Sequence, residues 1–440
     1  MATTYLTRTS WGTATNRQKF TQSFWVKRGV IGAEQVLLGV ESGGSNEARV
    51  LFKADDTFEF YDYQSGYKFR KITTRKFRDC SAWYNIVLAV DTTHPTGSAR
   101  VNIYINGVQE TSFSTSTDPA QNLNTFYNSS GNHIVQLGRQ STGGSYFTGS
   151  MSHVNFCDGT TLAPTVFGST DATTGEWKGN TSPSVTYGTN GYFILKDSNS
   201  VTDQSGRGNN FTVGGGTLTN LKDNPDNNFA TFNPLNSWGA AVLTNGNLTV
   251  EDTGTTVGHF FTTIHMNKGK WYMEFNVDTH LNSYTAPSFL LAGTGAFQLA
   301  QIGFSSSGDG SFGISSNGRA ITDGAEGAVV IPALVNNDKV QLAYDADAGK
   351  AWFGINGTYF NSGNPSTAAN PYFTSTKLQN NDVVFVSLGY DGNKMSANFG
   401  NGYFGTTAVS SAGTNASGNG IFEYNVPSGF TALSTKGLNL

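Results

Sequence analysis

One stretch of this chain occurs twice, and it limits the possible folds more than any other feature. The first copy runs Asn85-Ile86-Val87-Leu88-Ala89-Val90-Asp91, then a turn, then Arg100-Val101-Asn102-Ile103-Tyr104-Ile105-Asn106-Gly107. The second runs Lys339-Val340-Gln341-Leu342-Ala343-Tyr344-Asp345, a shorter turn, then Lys350-Ala351-Trp352-Phe353-Gly354-Ile355-Asn356-Gly357. Side chains alternate across a strand, so Ile86, Leu88 and Val90 share one face, as do Val340, Leu342 and Tyr344. Val101, Ile103 and Ile105 correspond to Ala351, Phe353 and Ile355 in the partner strand. Asn-Gly after such a run is a strong hairpin signal, because both residues tolerate positive φ in a type I′ turn. Two distant copies of a long hairpin predict an all-β chain of two tandem antiparallel β-sandwiches, or jelly rolls.

The 440 residues suit two such domains. The 53 glycines and 13% charged residues would suit a disordered chain, but 13% aromatic and 37% hydrophobic residues argue for packed cores. No long segment has helical periodicity. A net charge of −4 implies neither nucleic acid nor an anionic membrane as partner. Met1-Ala2-Thr3-Thr4-Tyr5 has no apolar core for a signal peptide and no run reaches transmembrane length, so no membrane insertion is expected. Cys80 and Cys157 lie beside apolar strand-like runs and read as buried free thiols, with a single disulfide as the alternative.

The pattern predicts three regions. Residues 1–158 form a first sandwich, with strands around Phe24-Trp25-Val26-Lys27, Arg49-Val50-Leu51-Phe52 and Thr57 to Tyr63. Residues 159–227 form a looser connecting segment, packed on the first sandwich because it carries Phe167, Trp177 and Phe211. Residues 228–440 form the second sandwich, with strands at Lys270 to Val277, Ala300 to Phe304 and Val383 to Leu388, and a glycine-rich tail.

The second sandwich resembles a SPRY domain. Gly269-Lys270-Trp271-Tyr272-Met273-Glu274-Phe275 resembles that family's early strand and Ile302-Gly303-Phe304 a later one. Asp345 through Gly357 resembles its hairpin, and Asn398-Phe399-Gly400 its terminal Asn-Phe-Gly. The first sandwich is similar to the concanavalin A-like or laminin-G-like fold, through Phe24-Trp25-Val26-Lys27, Trp83-Tyr84-Asn85-Ile86-Val87 and Ile103-Tyr104-Ile105-Asn106-Gly107. Asn85 stands where that family usually has His. The pairing resembles virion appendage proteins of marine tailed bacteriophages, which join two such domains through a segment like Phe229-Ala230-Thr231-Phe232-Asn233-Pro234-Leu235.

That resemblance implies a structural virion protein, a tail or head fibre, with other virion proteins and a host-surface glycan as partners. It also implies assembly in the bacterial host cytoplasm and, by analogy, a homotrimer. Lectin-like sandwiches often hold calcium at a loop, where Asp55, Asp56 and Asp91 are candidates, although no EF-hand spacing occurs.

Chemistry-bearing motifs are sparse. The six histidines form no HExxH, and neither a Gly-x-Ser-x-Gly elbow nor a phosphate-binding loop is present. The best catalytic case is Glu274 and Asp278, which share a strand face with Asn276 between them, as paired acids do in sandwich glycosidases. The stretch departs from the Glu-x-Asp-x-Glu of those enzymes at two of its three acids, with Asn276 and Asp278, and the expectation is a non-enzyme.

Binding residues are better represented. Sugars stack on aromatic rings and hydrogen-bond planar polar groups. Tyr61, Tyr63 and Tyr67 flank the turn at Gln64-Ser65-Gly66 and are the candidates in the first sandwich, beside a reading as cross-strand packing. Lys68 through Arg78 concentrates positive charge, either as a solvated edge or as an attractor of acidic polysaccharide. In the second sandwich the SPRY resemblance points to loops at one end, with Tyr284, Asp309, Asn317, Arg319, Tyr359 and Tyr390 as candidates; Trp352 is expected to pack. The leading expectation is a glycan-binding virion appendage. The alternatives are a decoration protein that only stabilises the particle, and a polysaccharide depolymerase.

Overall fold

The structure, a computed structural model, describes residues 3–9, 11–42, 46–129, 133–239, 241–254, 258–281, 287–293 and 310–439. The expected strand at Ala300 to Phe304 lies outside these residues. Among the described residues, all regular elements are β-strands or three-residue 3-10 turns, and no α-helix occurs. The chain divides into two compact units, Met1–Asn220 and Leu221–Leu440.

In the first unit the described residues form two facing sheets. One has eight strands, in the order Phe113–Thr117, Tyr67–Lys76, Thr57–Gln64, Asn46–Phe52, Gln35–Glu41, Ile134–Leu137, Tyr5–Arg8 and Thr212–Gly215. The other has six, in the order Tyr192–Ile194, Gly149–Asp158, Lys19–Arg28, Tyr84–Asp91, Val101–Ile105 and Val108–Gln109. The repeated hairpin lies in the six-stranded sheet, where Ile86, Leu88 and Val90 face Ile105, Ile103 and Val101. These side chains meet Val50, Phe58, Phe60 and Phe69 of the opposite sheet in one apolar core. Each such burial contributes about 1.5–3 kcal/mol of hydrophobic stabilisation. Phe60 packs edge-on against Phe69 and Tyr127, with centroids at 4.9 and 5.8 Å.

The outer face of the six-stranded sheet carries Val87, Cys157 and Phe193, which a sandwich alone would leave wet. Residues 160–190 cross this face and bury Phe167 and Tyr187 against it. Trp177 anchors the cover: its indole N–H donates to Asn85 Oδ1 at 3.1 Å, and its ring lies on Gly107 and Gly168. Asn85 is held in turn by its own amide, which donates to the Phe24 carbonyl at 3.2 Å. Phe211 joins the main core. Both cysteines are free and buried, and burial pushes the Cys80 thiol up to about 11 and the Cys157 thiol up to about 12. Such thiols are protonated and inert at neutral pH.

The second unit repeats the arrangement. Its hairpin pairs Val340, Leu342 and Tyr344 with Ile355, Phe353 and Ala351. The described strands form a seven-stranded and a nine-stranded sheet. Their shared core includes Phe275 stacked on Phe385, with centroids at 4.0 Å and planes at 15°. Both Asn-Gly pairs adopt the backbone that type I′ turns require: φ is 49° and 78° at Asn106-Gly107, and 48° and 90° at Asn356-Gly357. The outer face of the nine-stranded sheet is also covered. Phe422, Val426 and Phe430 of the C-terminal segment pack on Tyr272, Ala343 and Trp352. The Thr431–Ala432 strand then pairs parallel to Lys270–Thr279.

A Cβ at Gly107 would come within 2.4 Å of the Trp177 ring, at a φ that side chains rarely adopt. Gly107→Ala is therefore expected to lower the stability of the first unit by about 1–3 kcal/mol. A urea titration followed by tryptophan fluorescence would measure this, and an unchanged midpoint would show that Trp177 is not seated on this turn.

Candidate functional site

The outer face of the eight-stranded sheet combines aromatic, anionic and cationic side chains. Strand pairing puts them in rows, because residues opposite one another across antiparallel strands point to the same side. One row reads Thr7, Gln136, Gly39, Arg49, Tyr61 and Arg70 across six strands. The next reads Glu41, Glu47, Tyr63 and Tyr67.

The structure brings together the three tyrosines singled out from the sequence, but not as equals. Tyr61 is buried, packs with Val36 and Leu51, and donates its hydroxyl to Glu47 Oε1 at 2.6 Å. Burial, reinforced by Glu47, raises its phenol well above the ordinary value. Tyr63 is half-buried. Tyr67, at 45% exposure, is the ring that reaches solvent. Its orientation is fixed from three sides. Tyr61 and Tyr63 meet it edge-on at 5.5 and 5.2 Å, and the Arg70 guanidinium lies 4.5 Å from its centroid. Arg70 is itself held by Glu59 Oε1 at 2.6 Å. Cross-strand packing and presentation of a ring thus coexist here.

Sequence reasoning missed a second group on this face. Arg139 stacks over Tyr5, with Cζ 3.5 Å from the ring centroid, and lies 5.9 Å from the centroid of Tyr146. Its Nε donates to Gln136 Oε1 at 2.7 Å and its Nη1 to the Tyr146 hydroxyl at 3.3 Å. The local sequence signalled none of this, because Tyr5 lies far earlier in the chain and meets Arg139 only through strand pairing. Glu47 and Arg49 were legible in principle, since they alternate with Ala48 and Val50 in the strand beside Tyr61.

The basic stretch Lys68 to Arg78 is largely neutralised. Arg70 pairs with Glu59, Lys71 with Asp118 at 2.5 Å, Arg75 with Glu110 at 3.1 Å and Arg78 with Asp56 at 2.9 Å. The stretch therefore offers acidic polysaccharide far less charge than its sequence suggests. The calcium candidates are also committed elsewhere. Asp56 is buried between Arg28 and Arg78 and accepts the Gly32 N–H at 2.8 Å. Burial opposes its charge, but these donors together hold its carboxyl below the usual value. Asp55 accepts from Thr57, and Asp91 from Thr93 and Lys19. Among the described residues, no three metal-ligating side chains converge.

In the second unit, Tyr284 and Asp309 lie outside the described residues. Asn317 sits half-buried in the turn that follows Ser311–Ser315. Arg319 opens the next strand and reaches the Gly327 carbonyl at 3.1 Å and Glu326 at 3.7 Å. Tyr390 is half-buried in the turn after Val383–Gly389. Tyr359 belongs to the other, nine-stranded sheet. Its hydroxyl is buried and has no hydrogen-bond partner among the described residues.

Glu274 is not on an open strand face. It is fully buried beneath the C-terminal segment, where the Tyr272 hydroxyl donates to Oε1 at 2.8 Å. The N–H groups of Glu423 and Tyr424 donate to Oε2 and Oε1 at 2.8 and 2.9 Å. Asp278 is taken up by Asn276 and Ser396, each at 2.6 Å. The carboxylate once paired with Asp278 as a catalytic candidate is thus a docking point for the tail. Burial pushes Glu274 up to about 7, against the hydrogen bonds from Tyr424, Glu423 and Tyr272 that favour its charge. The folded state therefore keeps a proton that the unfolded chain releases near pH 4.5, and stability falls as pH rises from there through 7. The expected loss is roughly 2–4 kcal/mol for the second unit. Denaturation curves at pH 4.5, 6 and 8 would measure it. Glu274→Gln should flatten this dependence, and an equally steep slope in the variant would assign it to another group.

A family comparison agrees with the fold of the first unit. A sequence model of the concanavalin A-like lectin/glucanases superfamily, Laminin_G_3, matches residues 2–166. Among curated proteins no relative matches the chain. Similar solved structures include the SPRY domain of human HERC1, at 13% identity and a TM-score of 0.31, covering 38% of this chain and 96% of that one. A second is domain 4 of AbnA, an extracellular GH43 arabinanase from Geobacillus stearothermophilus, in complex with arabinotriose. It is 18% identical with a TM-score of 0.27, covering 34% of this chain and 64% of that one. A third is the SAP-like pentraxin of Limulus polyphemus, at 12% identity and a TM-score of 0.27, covering 37% and 72%. At TM-scores this low none of them informs function.

Proposed function

We propose that this chain is a non-enzymatic virion appendage protein whose first unit holds a glycan on the outer face of its eight-stranded sheet. The observation that carries the glycan reading is Tyr67, an exposed ring locked by Tyr61, Tyr63 and Arg70 beside the partly exposed carboxylate of Glu47. A ring immobilised before binding loses little entropy when a sugar stacks on it, and neighbouring carboxylates accept hydrogen bonds from hydroxyls. The match of residues 2–166 to a lectin and glucanase superfamily supports the same reading.

The non-enzymatic reading draws support from Glu274, both of whose oxygens serve the C-terminal segment. The virion assignment rests on the pairing of a laminin-G-like with a SPRY-like sandwich. With it come assembly in the bacterial host cytoplasm, contacts to other virion proteins and a trimeric state. In this reading the first sandwich meets the host surface.

The test is retention of the isolated protein on host cells and on purified surface polysaccharide. Tyr67→Ala is expected to weaken binding at least about tenfold, a change of about 1.4 kcal/mol, with the thermal midpoint unchanged. Release of reducing ends would favour the depolymerase reading. Failure to bind any host polysaccharide would leave the chain as a decoration protein, and equal binding by the variant would move the site away from the tyrosines.

A further inference from the structure

Two kinds of arginine occupy the outer face of the eight-stranded sheet. Arg49 and Arg70 are each paired with a carboxylate, Glu47 and Glu59. Arg139 is fixed by neutral groups instead: the Tyr5 ring, the Tyr146 hydroxyl and the Gln136 amide oxygen. These supports are themselves immobile. Gln136 is 5% exposed, and the Tyr5 ring is seated on Gly214 and Gly215, where added Cβ atoms would come within 2.2 and 2.8 Å of it. Among the described residues no carboxylate pairs with Arg139. Its guanidinium is therefore held in a set orientation with its charge uncompensated, and its Nη2 has no acceptor among the described residues.

A planar cation stacked on an aromatic ring, and aimed by hydrogen bonds from Nε and Nη1, still has N–H groups on Nη1 and Nη2 to take a carboxylate end-on through two parallel donors. We propose that Arg139 is the receptor for a carboxylate on the bound glycan, so that the ligand is an acidic polysaccharide containing uronic acid units. This rests on the glycan reading of the tyrosine face. Gln136, the residue that aims Arg139, lies four strands from the strand of Tyr67, roughly 19 Å across the sheet. A chain of several sugars lying across the strands spans that distance. Between the two, Gly39 presents no side chain and Ser141 packs over it. The chain's net charge of −4 gives no general attraction for a polyanion, so recognition falls to this local cation.

The probes are oligogalacturonate, alginate and hyaluronan oligosaccharides, each beside its methyl-esterified form, with poly-glutamate as a peptide polyanion. Calorimetry at fixed salt should show at least one acid form binding about tenfold or more tighter than its ester, the scale of a charge-assisted hydrogen bond. Arg139→Gln should remove that preference. Arg139→Lys keeps the charge without the planar fork and should lose most of it, and retained binding of the ester by both variants separates recognition from a folding defect. Tyr67→Ala should weaken acid and ester alike. Equal binding of acid and ester, an unchanged preference in Arg139→Gln, equal binding of poly-glutamate, or no binding by any of the three glycans would each overturn the proposal. Tyr67-sensitive binding that ignores the carboxylate would overturn it while leaving the glycan reading in place.

Discussion

A β-sheet has two faces, and a sandwich hides only one of each pair. The structure of this chain depends on how it covers a remaining face in each unit. In the first unit residues 160–190 close the outer face of the six-stranded sheet through Phe167, Tyr187 and Trp177. In the second, the C-terminal segment closes the outer face of the nine-stranded sheet through Phe422, Val426 and Phe430. Each cover combines apolar burial with a buried polar fastening, because backbone groups taken from water need partners. Asn85 serves this purpose for Trp177, and Glu274 serves it for the N–H groups of Glu423 and Tyr424.

Against these closed faces, the outer face of the eight-stranded sheet in the first unit is of a different kind. Its tyrosines, glutamates and arginines satisfy one another while leaving the Tyr67 ring and the Arg139 guanidinium at the surface. The same pairing explains why the long basic stretch from Lys68 to Arg78 carries little net field. Its cations reach Asp56, Glu59, Glu110 and Asp118, acids contributed by other strands and loops.

The all-β architecture was legible in the sequence because strand alternation and Asn-Gly turns are local signals. Ile86, Leu88 and Val90 needed only their own spacing to be assigned to a core. The tyrosine hairpin was legible for the same reason, since Tyr61, Tyr63 and Tyr67 lie within one turn of chain. Arg139 was not, because its slot is made by Tyr5, which lies far earlier in the chain and reaches it only through strand pairing. The role of Glu274 was not legible for a related cause: its strand alternates like one with an open polar face, and the segment that closes that face lies 150 residues downstream.

That separation also matters during synthesis. The strand bearing Tyr272 and Glu274 leaves the ribosome well before Tyr424 does, and at about 5–20 residues per second the interval is roughly 8–30 s. Throughout it Tyr272 has no native cover, and neither has Trp352 once it emerges, however complete the rest of the sheet becomes. The nascent second unit therefore exposes an aromatic surface that a chaperone could bind, until Phe422 through Phe430 are made.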